Sequence, residues 1–141
     1  MGRRSDALME VGFASLLLDA GAVLAVARDR PEVQRWLQQA KKIGVHPRVS
    51  YVTIAEVFRD APAGRRVQWV LSRLAPEHLT LRDCHDAGRL MCATGTDGKT
   101  LDALVAVTAL RLPKPVAVLS SDPGDLGRLL EGQRRVTVAR V

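Results

Sequence analysis

Apolar runs of strand length alternate along this chain with segments whose apolar residues recur at helical spacing. That alternation is typical of α/β domains built on a parallel sheet. Residues 14–18 and 116–119 are almost uninterrupted apolar runs, as expected of strands buried on both faces. The 141 residues are enough for one domain with a sizeable core. We predict a single α/β domain with a central, mainly parallel sheet of about five strands and helices on both faces.

The remaining strands and helices follow from the same patterns and from turn residues. Strands are predicted at residues 14–18, 48–52, 79–81, 116–119 and 136–141. Helices are predicted to end near residue 28, to run from Pro31 to Gly44, and to cover 53–59, 65–74, 83–93, 101–110 and 122–130. The domain is predicted to span residues 13–141, after a loosely ordered leader at residues 1–12. Asp6, Glu10 and Asp19 argue against a secretory signal, and no apolar run reaches about 18 residues, so we expect a cytoplasmic protein without a membrane span.

The charge balance is compatible with a polyanionic partner such as nucleic acid. The net charge is +6, and 17 of the 21 basic residues are arginine, whose guanidinium group binds phosphate in a bidentate manner. A solvated basic surface remains an alternative. Aromatic residues make up only 4% of the chain, which is too few for a base-stacking platform, and two cysteines cannot form a disulfide scaffold.

Four acidic residues stand out because of their placement beside apolar segments. Asp19 ends the first predicted strand, and Asp122 follows the strand at 116–119. In an open parallel sheet, ligands bind beyond the carboxyl ends of the strands, so these two side chains can converge. Glu56 follows another strand and Asp102 opens a buried helix, so both can reach the same edge. Two carboxylates 4 Å apart repel by about 4 kcal/mol at an effective dielectric near 20, and a hard cation such as Mg²⁺ or Mn²⁺ relieves that repulsion.

Each of these acids also has a simpler structural interpretation. Asp19 can cap the following helix, and Asp122 can cap a helix that continues through Pro123 and Asp125. Asp102 suits the first turn of a helix, where the dipole favours an acid. Glu56 can pair with a basic residue three positions later. Only their joint arrangement favours a shared site.

Four segments carrying these acids resemble the PIN-domain family of metal-dependent ribonucleases, and in particular the VapC-type toxins of bacterial toxin–antitoxin pairs. The segments are Leu17-Leu18-Asp19-Ala20-Gly21-Ala22, Thr53-Ile54-Ala55-Glu56-Val57-Phe58-Arg59, Asp102-Ala103-Leu104-Val105-Ala106 and Leu119-Ser120-Ser121-Asp122-Pro123-Gly124-Asp125-Leu126. They stand in the family's order, and the resemblance extends over residues 14–141. One departure is Gly21, where many members carry a hydroxyl or amide side chain.

The resemblance implies a three-layer PIN-like fold and a nuclease site. It implies that Asp19, Glu56, Asp102 and Asp122 surround one or two Mg²⁺ or Mn²⁺ ions. It adds three auxiliary residues, namely Asp97, Ser120 and Asp125. Asp125 is expected mainly as a helix cap, with contact to a metal through water as the alternative. RNA would be hydrolysed by water activated at the metal, leaving 5′-phosphate and 3′-hydroxyl ends. Candidate RNA-binding side chains are Arg28, Arg59, Arg65 and Arg66.

Members of this toxin class usually form homodimers and are silenced by a small antitoxin, so the resemblance implies both partners here. The antitoxin is expected against the helices of residues 31–74. A catalytically degenerate PIN module that binds RNA or a protein without cleavage is the alternative. A receiver-like signalling domain is disfavoured, because it needs adjacent acids after the first strand and a lysine after a later one.

Overall fold

The computed structural model describes residues 2–141 and contains one five-stranded sheet whose strands all run parallel. The strands are β1 (Ser15–Leu18), β2 (Arg48–Ser50), β3 (Ala75–Glu77), β4 (Val116–Ser120) and β5 (Val136–Arg140), in the spatial order β3-β2-β1-β4-β5. Over the same residues the helices are α1 (Arg3–Val11), α2 (Ala20–Ala27), α3 (Pro31–Ile43), α4 (Tyr51–Val57), α5 (Arg65–Ser72), α6 (Leu81–Thr94), α7 (Thr100–Arg111) and α8 (Gly124–Leu129). The predicted α/β fold class is confirmed.

The strand order places the topological switch point between β1 and β4. The chain builds outward from β1 to β3 on one side and from β4 to β5 on the other. Because all strands are parallel, their carboxyl ends share one edge of the sheet, and ligands of such sheets bind at that edge, beside the switch point. Any site residue that follows β1 or β4 therefore lies at this edge.

Side chains of the two central strands alternate between two cores. Leu16, Leu18 and Leu119 belong to the core that includes the fully buried Trp36, whereas Leu17 and Val118 belong to the opposite core. This period of two is the geometry of a strand covered on both faces. Helices α2, α3 and α5 supply residues to the first core, and α6, α7 and α8 to the second. The result is the predicted three-layer arrangement.

The first segment of the chain differs from the prediction. Residues 3–11 form helix α1 where the sequence predicts a loosely ordered leader. The helix forms because Leu8 packs into the core beside Phe13, and Met9 packs against that core. Met1, the first residue of the predicted leader, lies outside the described residues.

The prediction of a strand at residues 79–81 is wrong. The edge strand is β3, and Leu81, whose exposed fraction is 74%, begins α6 instead. Thr80 and Asp83 form a reciprocal capping box that starts this helix. β3 contains Pro76, which is tolerated in a strand at the sheet edge.

Within residues 2–141, no helix is both long and apolar enough to cross a membrane.

The other predicted elements differ from the observed ones mainly in their ends. α4 begins at Tyr51 because the Ser50 hydroxyl accepts a hydrogen bond from the backbone N–H of Val52, which shortens β2.

Candidate functional site

Asp19 and Asp122 lie at the carboxyl ends of the two central strands. Asp19 directly follows β1, and its N–H donates to the Leu119 carbonyl in β4 at 3.0 Å. Asp122 lies two residues beyond the end of β4, where its N–H donates to the Ser120 hydroxyl at 3.2 Å. Both acids therefore sit at the switch point, as predicted.

Glu56 and Asp102 reach the same region from helices α4 and α7, which pack against each other. Their charges interact with those of the strand-end acids. The pKa of Glu56 is raised by burial and then by the charges of Asp102 and Asp19. The pKa of Asp102 is raised by burial, by Asp125 and by Asp122, while Lys99 lowers it. The four carboxylates, called here the acid cluster (Asp19, Glu56, Asp102 and Asp122), thus share one electrostatic field.

Asp19 is the most firmly held member of the acid cluster. Burial raises its pKa, whereas a hydrogen bond from the Ser120 hydroxyl and one from the Ala22 N–H lower it, and the charge of Asp102 raises it again. The Ala22 N–H bonds to Asp19 Oδ1 at 2.9 Å, so Asp19 is also the N-cap of α2. The capping interpretation of Asp19 is therefore correct, and its part in a shared metal site stays a prediction.

The simpler interpretations of Glu56 and Asp122 are wrong. Arg59 donates to the backbone carbonyl of Glu56 at 3.0 Å, and the Glu56 carboxylate is in no ion pair among residues 2–141. Helix α8 starts at Gly124 with Pro123 at the N-cap, so Asp122 does not cap it. Asp102 does lie in the first turn of α7, as its simpler interpretation requires.

The three auxiliary residues are placed differently from one another. The Ser120 hydroxyl is fully buried between Asp19 and the N–H of Asp122, so it links two members of the acid cluster. Asp125 is close enough to raise the pKa of Asp102, and its Oδ2 pairs with Lys99 Nζ at 3.2 Å. Asp97 is exposed in the loop before α7 and is not among the charges that shift these pKa values.

No family model matches the sequence, and no curated protein matches it. Solved structures match the fold. A chain of VapBC2 from Rickettsia felis, solved bound to a DNA fragment from their promoter, matches with a TM-score of 0.70 and 13% identity, over 89% of this chain and 98% of that chain. A toxin-antitoxin complex from Klebsiella pneumoniae matches with a TM-score of 0.66 and 18% identity, over 90% and 100% of the two chains. VapBC-5 from Mycobacterium tuberculosis gives 0.56 and 17%, over 91% and 99%.

This chain has the PIN-like fold. The fold expected from the four sequence segments is thereby confirmed, and its structural neighbours are VapBC toxin–antitoxin complexes. In this PIN-like fold, Asp19 and Asp122 lie at the switch point of the sheet, and the charge of Asp102 acts on Asp19 and Glu56.

The chemistry of the acid cluster fits a hard divalent cation. All its donor atoms are carboxylate oxygens, and none of the four forms an ion pair with a basic residue within 2–141. Thr53, one helical turn before Glu56, adds a fully buried hydroxyl with no hydrogen-bond partner. The cluster is not a closed coordination cage, because no three His, Cys, Asp or Glu side chains among the described residues are already arranged around a metal position.

Gly21 lies against a neighbouring residue that leaves no room for a side chain. A Cβ atom at Gly21 would overlap the Ser121 hydroxyl and lie 2.7 Å from the Ser121 Cβ. Ser121 follows β4 directly, so a hydroxyl from the second central strand stands beside the start of α2. Sequence reasoning missed this residue.

Lys99 is a second residue that the sequence analysis missed. It is the basic group whose charge lowers the pKa of Asp102, and it pairs with Asp125. Its position three residues before Asp102 was the available signal, since residues at that spacing are neighbours on a helix surface.

The four predicted RNA-binding arginines are exposed but not equally available. Arg66 pairs with Asp29 at 2.8 Å and stacks on Trp69, with its guanidinium carbon 4.7 Å from the ring centre. Arg59 donates to two backbone carbonyls. Arg28 and Arg65 form no ion pair within residues 2–141. Their role in RNA binding stays a prediction.

Proposed function

We propose that this chain is a Mg²⁺-dependent endoribonuclease and the toxin of a toxin–antitoxin pair. One observation carries the proposal: at the switch point of a PIN-like sheet, four carboxylates that form no ion pair among residues 2–141 interact through the charge of Asp102. Such a concentration of negative charge repels RNA unless cations neutralise it. The repulsion among these carboxylates destabilises the folded protein, and a site that binds divalent cations would explain why they are placed together.

The proposed roles follow from the positions of the side chains. Asp19, Glu56, Asp102 and Asp122 would hold one or two Mg²⁺ or Mn²⁺ ions through their carboxylate oxygens. The bound cation supplies Lewis-acid activation of water and neutralises charge on the phosphate. Ser120 fixes the Asp19 carboxylate through its hydroxyl, so that this ligand keeps one orientation. Asp125, through its ion pair with Lys99, sets the charge next to Asp102.

RNA is the proposed substrate because the chain is basic and arginine-rich outside the acid cluster. Arginine binds phosphate without reading the base, and the low aromatic content argues against recognition by base stacking. Sequence selection would then depend on the shape of the RNA around the crevice. A cytoplasmic location follows from this substrate.

Cleavage of purified RNA is the direct test. We expect the protein to cut a structured RNA in Mg²⁺, not in EDTA, and to leave 5′-phosphate and 3′-hydroxyl ends. Asp102→Asn should lose activity, whereas Asp6→Asn, which makes the same change at an exposed position of α1, should keep it. Cleavage in EDTA, or full activity in Asp102→Asn, would refute the assignment.

The degenerate PIN module is the second candidate, and one observation favours it. Within residues 2–141 the acidic side chains are not prearranged as a metal cage. If that arrangement persists in solution, the protein binds RNA or a partner without cutting. Mg²⁺ binding without RNA cleavage over a panel of structured RNAs would select this candidate.

An antitoxin partner is proposed on the surface formed by α4 and α5. This surface exposes three aromatic side chains, Tyr51, Phe58 and Trp69, with exposed fractions of 41%, 46% and 48%. Arg66 and Arg73 flank the Trp69 ring at 4.7 and 5.2 Å. Aromatic anchors beside positive charge suit an acidic, amphipathic partner helix, as the sequence predicted for residues 31–74.

Co-expression with the protein encoded next to this chain tests that surface. We expect a stable complex that Trp69→Ala weakens and Arg82→Ala does not, since Arg82 lies on α6 outside this surface. We further propose that the toxin is a homodimer, which its native mass in solution will check. Co-purification that is unaffected by Trp69→Ala would contradict the proposed partner surface.

A further inference from the structure

A basic groove runs between α1, β5 and the segment that joins α8 to β5. Its volume is about 1220 Å³, which exceeds the roughly 300–1,000 Å³ of typical small-molecule pockets and suits an extended ligand. The charged side chains that line it are Arg3, Arg4, Glu131, Arg134, Arg135 and Arg140. Five arginines against one glutamate give the groove a charge of about +4, out of a net +6 for the whole chain.

The arginines of this groove have no acidic partner within residues 2–141, since none of the five forms an ion pair there. Arg3 and Arg4 occupy the first turn of α1, where the helix dipole disfavours positive charge. Arg135 holds a φ of +63°, a conformation that non-glycine residues rarely adopt. Local stability therefore does not account for this concentration of charge.

The groove begins beside the acid cluster. Arg140 pairs with Ser120 in the β4–β5 register and donates to the Ser121 carbonyl, and Pro123, which also lines the groove, directly follows Asp122. From there the groove follows β5 toward Arg134. β5 has five residues and spans about 16 Å at 3.3 Å per residue. A chain following β5 would meet Arg140 at the carboxyl end of the strand, and Arg134 and Arg135 just before its first residue.

The lining of the groove favours a polyphosphate backbone over a protein surface. The exposed large apolar side chains, namely Val11, Ile43, Tyr51, Phe58, Trp69, Leu81 and Leu101, all lie outside it. A protein partner would need such anchors, because hot spots are buried aromatic and apolar groups. Arginine without aromatic neighbours binds phosphate and does not stack bases.

We propose that this groove binds the sugar–phosphate backbone of the RNA substrate on the Asp122 side of the cleavage site. The proposal rests on the proposed ribonuclease function and assigns a role to α1, which precedes the PIN-like sheet. Binding by the groove depends on phosphate charge and not on base sequence. It also needs no metal, so it can be measured separately from cleavage.

The test is fluorescence anisotropy of a labelled oligouridine of about 16 nucleotides in EDTA, at several salt concentrations. Each phosphate contact contributes about 0.7 to the salt slope, which corresponds to roughly fivefold in affinity at 0.1 M salt. The double variant Arg3→Glu/Arg4→Glu should therefore bind about 25-fold more weakly, with a slope smaller by about 1.4. Arg134→Glu should lose about fivefold.

Arg82→Glu is the matched control, because Arg82 is exposed on α6, away from the groove. It should bind oligouridine as the unmodified protein does. Circular dichroism should show both groove variants folded, since glutamate is favoured in the first turn of a helix. Unchanged oligouridine affinity in the groove variants, or an equal loss in Arg82→Glu, would overturn the proposal. Loss of polyglutamate binding with oligouridine binding intact would also overturn it, because the groove would then be a site for acidic proteins.

The two proposals can fail separately. If the groove variants lose oligouridine binding while no RNA is ever cut, the groove stands and the ribonuclease assignment falls. If RNA is cut in Mg²⁺ and the groove variants bind oligouridine normally, the ribonuclease assignment stands and the groove proposal falls.

Discussion

Mg²⁺ is expected to stabilise the folded protein, and Asp102→Asn is expected to abolish that effect. Asp102 interacts with every other member of the acid cluster and also with Asp125, so it is the acid whose removal changes the site most. The assay is thermal unfolding, followed by circular dichroism, in EDTA and across a Mg²⁺ titration.

The size of the Mg²⁺ effect follows from ligand linkage and chain length. A ligand at 100 times its Kd stabilises the folded state by about 2.7 kcal/mol. For 141 residues the entropy of unfolding is about 0.3 kcal/mol per degree near the midpoint, so this corresponds to roughly 9 °C. Unmodified protein should show this rise and Asp102→Asn should show little of it.

Without metal, the same substitution should stabilise the protein. Asp102 takes part in four repulsive interactions, with Asp19, Glu56, Asp122 and Asp125, and in one attractive interaction with Lys99. The net three repulsions, at about 0.3–0.5 kcal/mol each for partly exposed charges, give about 1 kcal/mol. In EDTA the melting temperature of Asp102→Asn should therefore be about 3 °C higher.

The control is Asp6→Asn, which removes an acid from the exposed face of α1. It should show the full rise with Mg²⁺ and, in EDTA, should melt no higher than the unmodified protein, because an acid is favoured in the first turn of α1. The reasoning is refuted if Mg²⁺ leaves the unmodified protein unchanged at high concentration, or if Asp102→Asn keeps the full rise. A lower melting temperature for Asp102→Asn in EDTA would show that the acids do not repel as described.

Three further outcomes are expected. In EDTA, the stability difference between Asp102→Asn and the unmodified protein should be largest near neutral pH and should shrink as the pH falls. The reason is that the pKa of Asp102 is raised above 3.8, so that protonation of this carboxylate relieves the repulsion. Urea titrations at several pH values check this, and a difference that grows toward low pH would contradict it. Gly21→Ala should lower the free energy of unfolding by about 1–3 kcal/mol, because the new Cβ overlaps Ser121. Gly88→Ala is the control and should not lower it, because its Cβ would meet nothing within 4 Å. Equal unfolding midpoints for the two variants would contradict the steric argument. Thr53→Val should raise the free energy of unfolding by about 1 kcal/mol in EDTA, because the Thr53 hydroxyl is buried without a partner, and a loss of stability would reveal a missed hydrogen bond.

The central strands are predictable from the sequence because strands buried on both faces consist almost entirely of apolar residues. β1 and β4 are almost wholly apolar, and both were placed within one or two residues. β3 was missed because Ala75-Pro76-Glu77 has no strand propensity of its own and is extended only because it pairs with β2. The capping box at Thr80 and Asp83 is the signal that α6 begins at Leu81, two residues before the predicted start of the helix and within the predicted strand at 79–81.

The candidate site was predictable to the extent that it lies on strand ends. Asp19 and Asp122 were located from the apolar runs before them, and the structure brings their region together with Glu56 and Asp102. Ser121 was not predictable, because its contact with Gly21 crosses from one strand end to the next. Spacing along the chain also gives no reason to treat Asp97 differently from the other predicted site residues, although the structure leaves it exposed in a loop.

Mn²⁺ soaked into crystals of the protein, and located by its anomalous scattering, tests the central claim most directly. Asp19 and Asp102 oxygens should both lie within coordination distance of an anomalous peak in the crevice between β1 and β4, with Glu56 or Asp122 turned toward it. An empty crevice at saturating Mn²⁺, or a cation bound only at other carboxylates, would contradict the account.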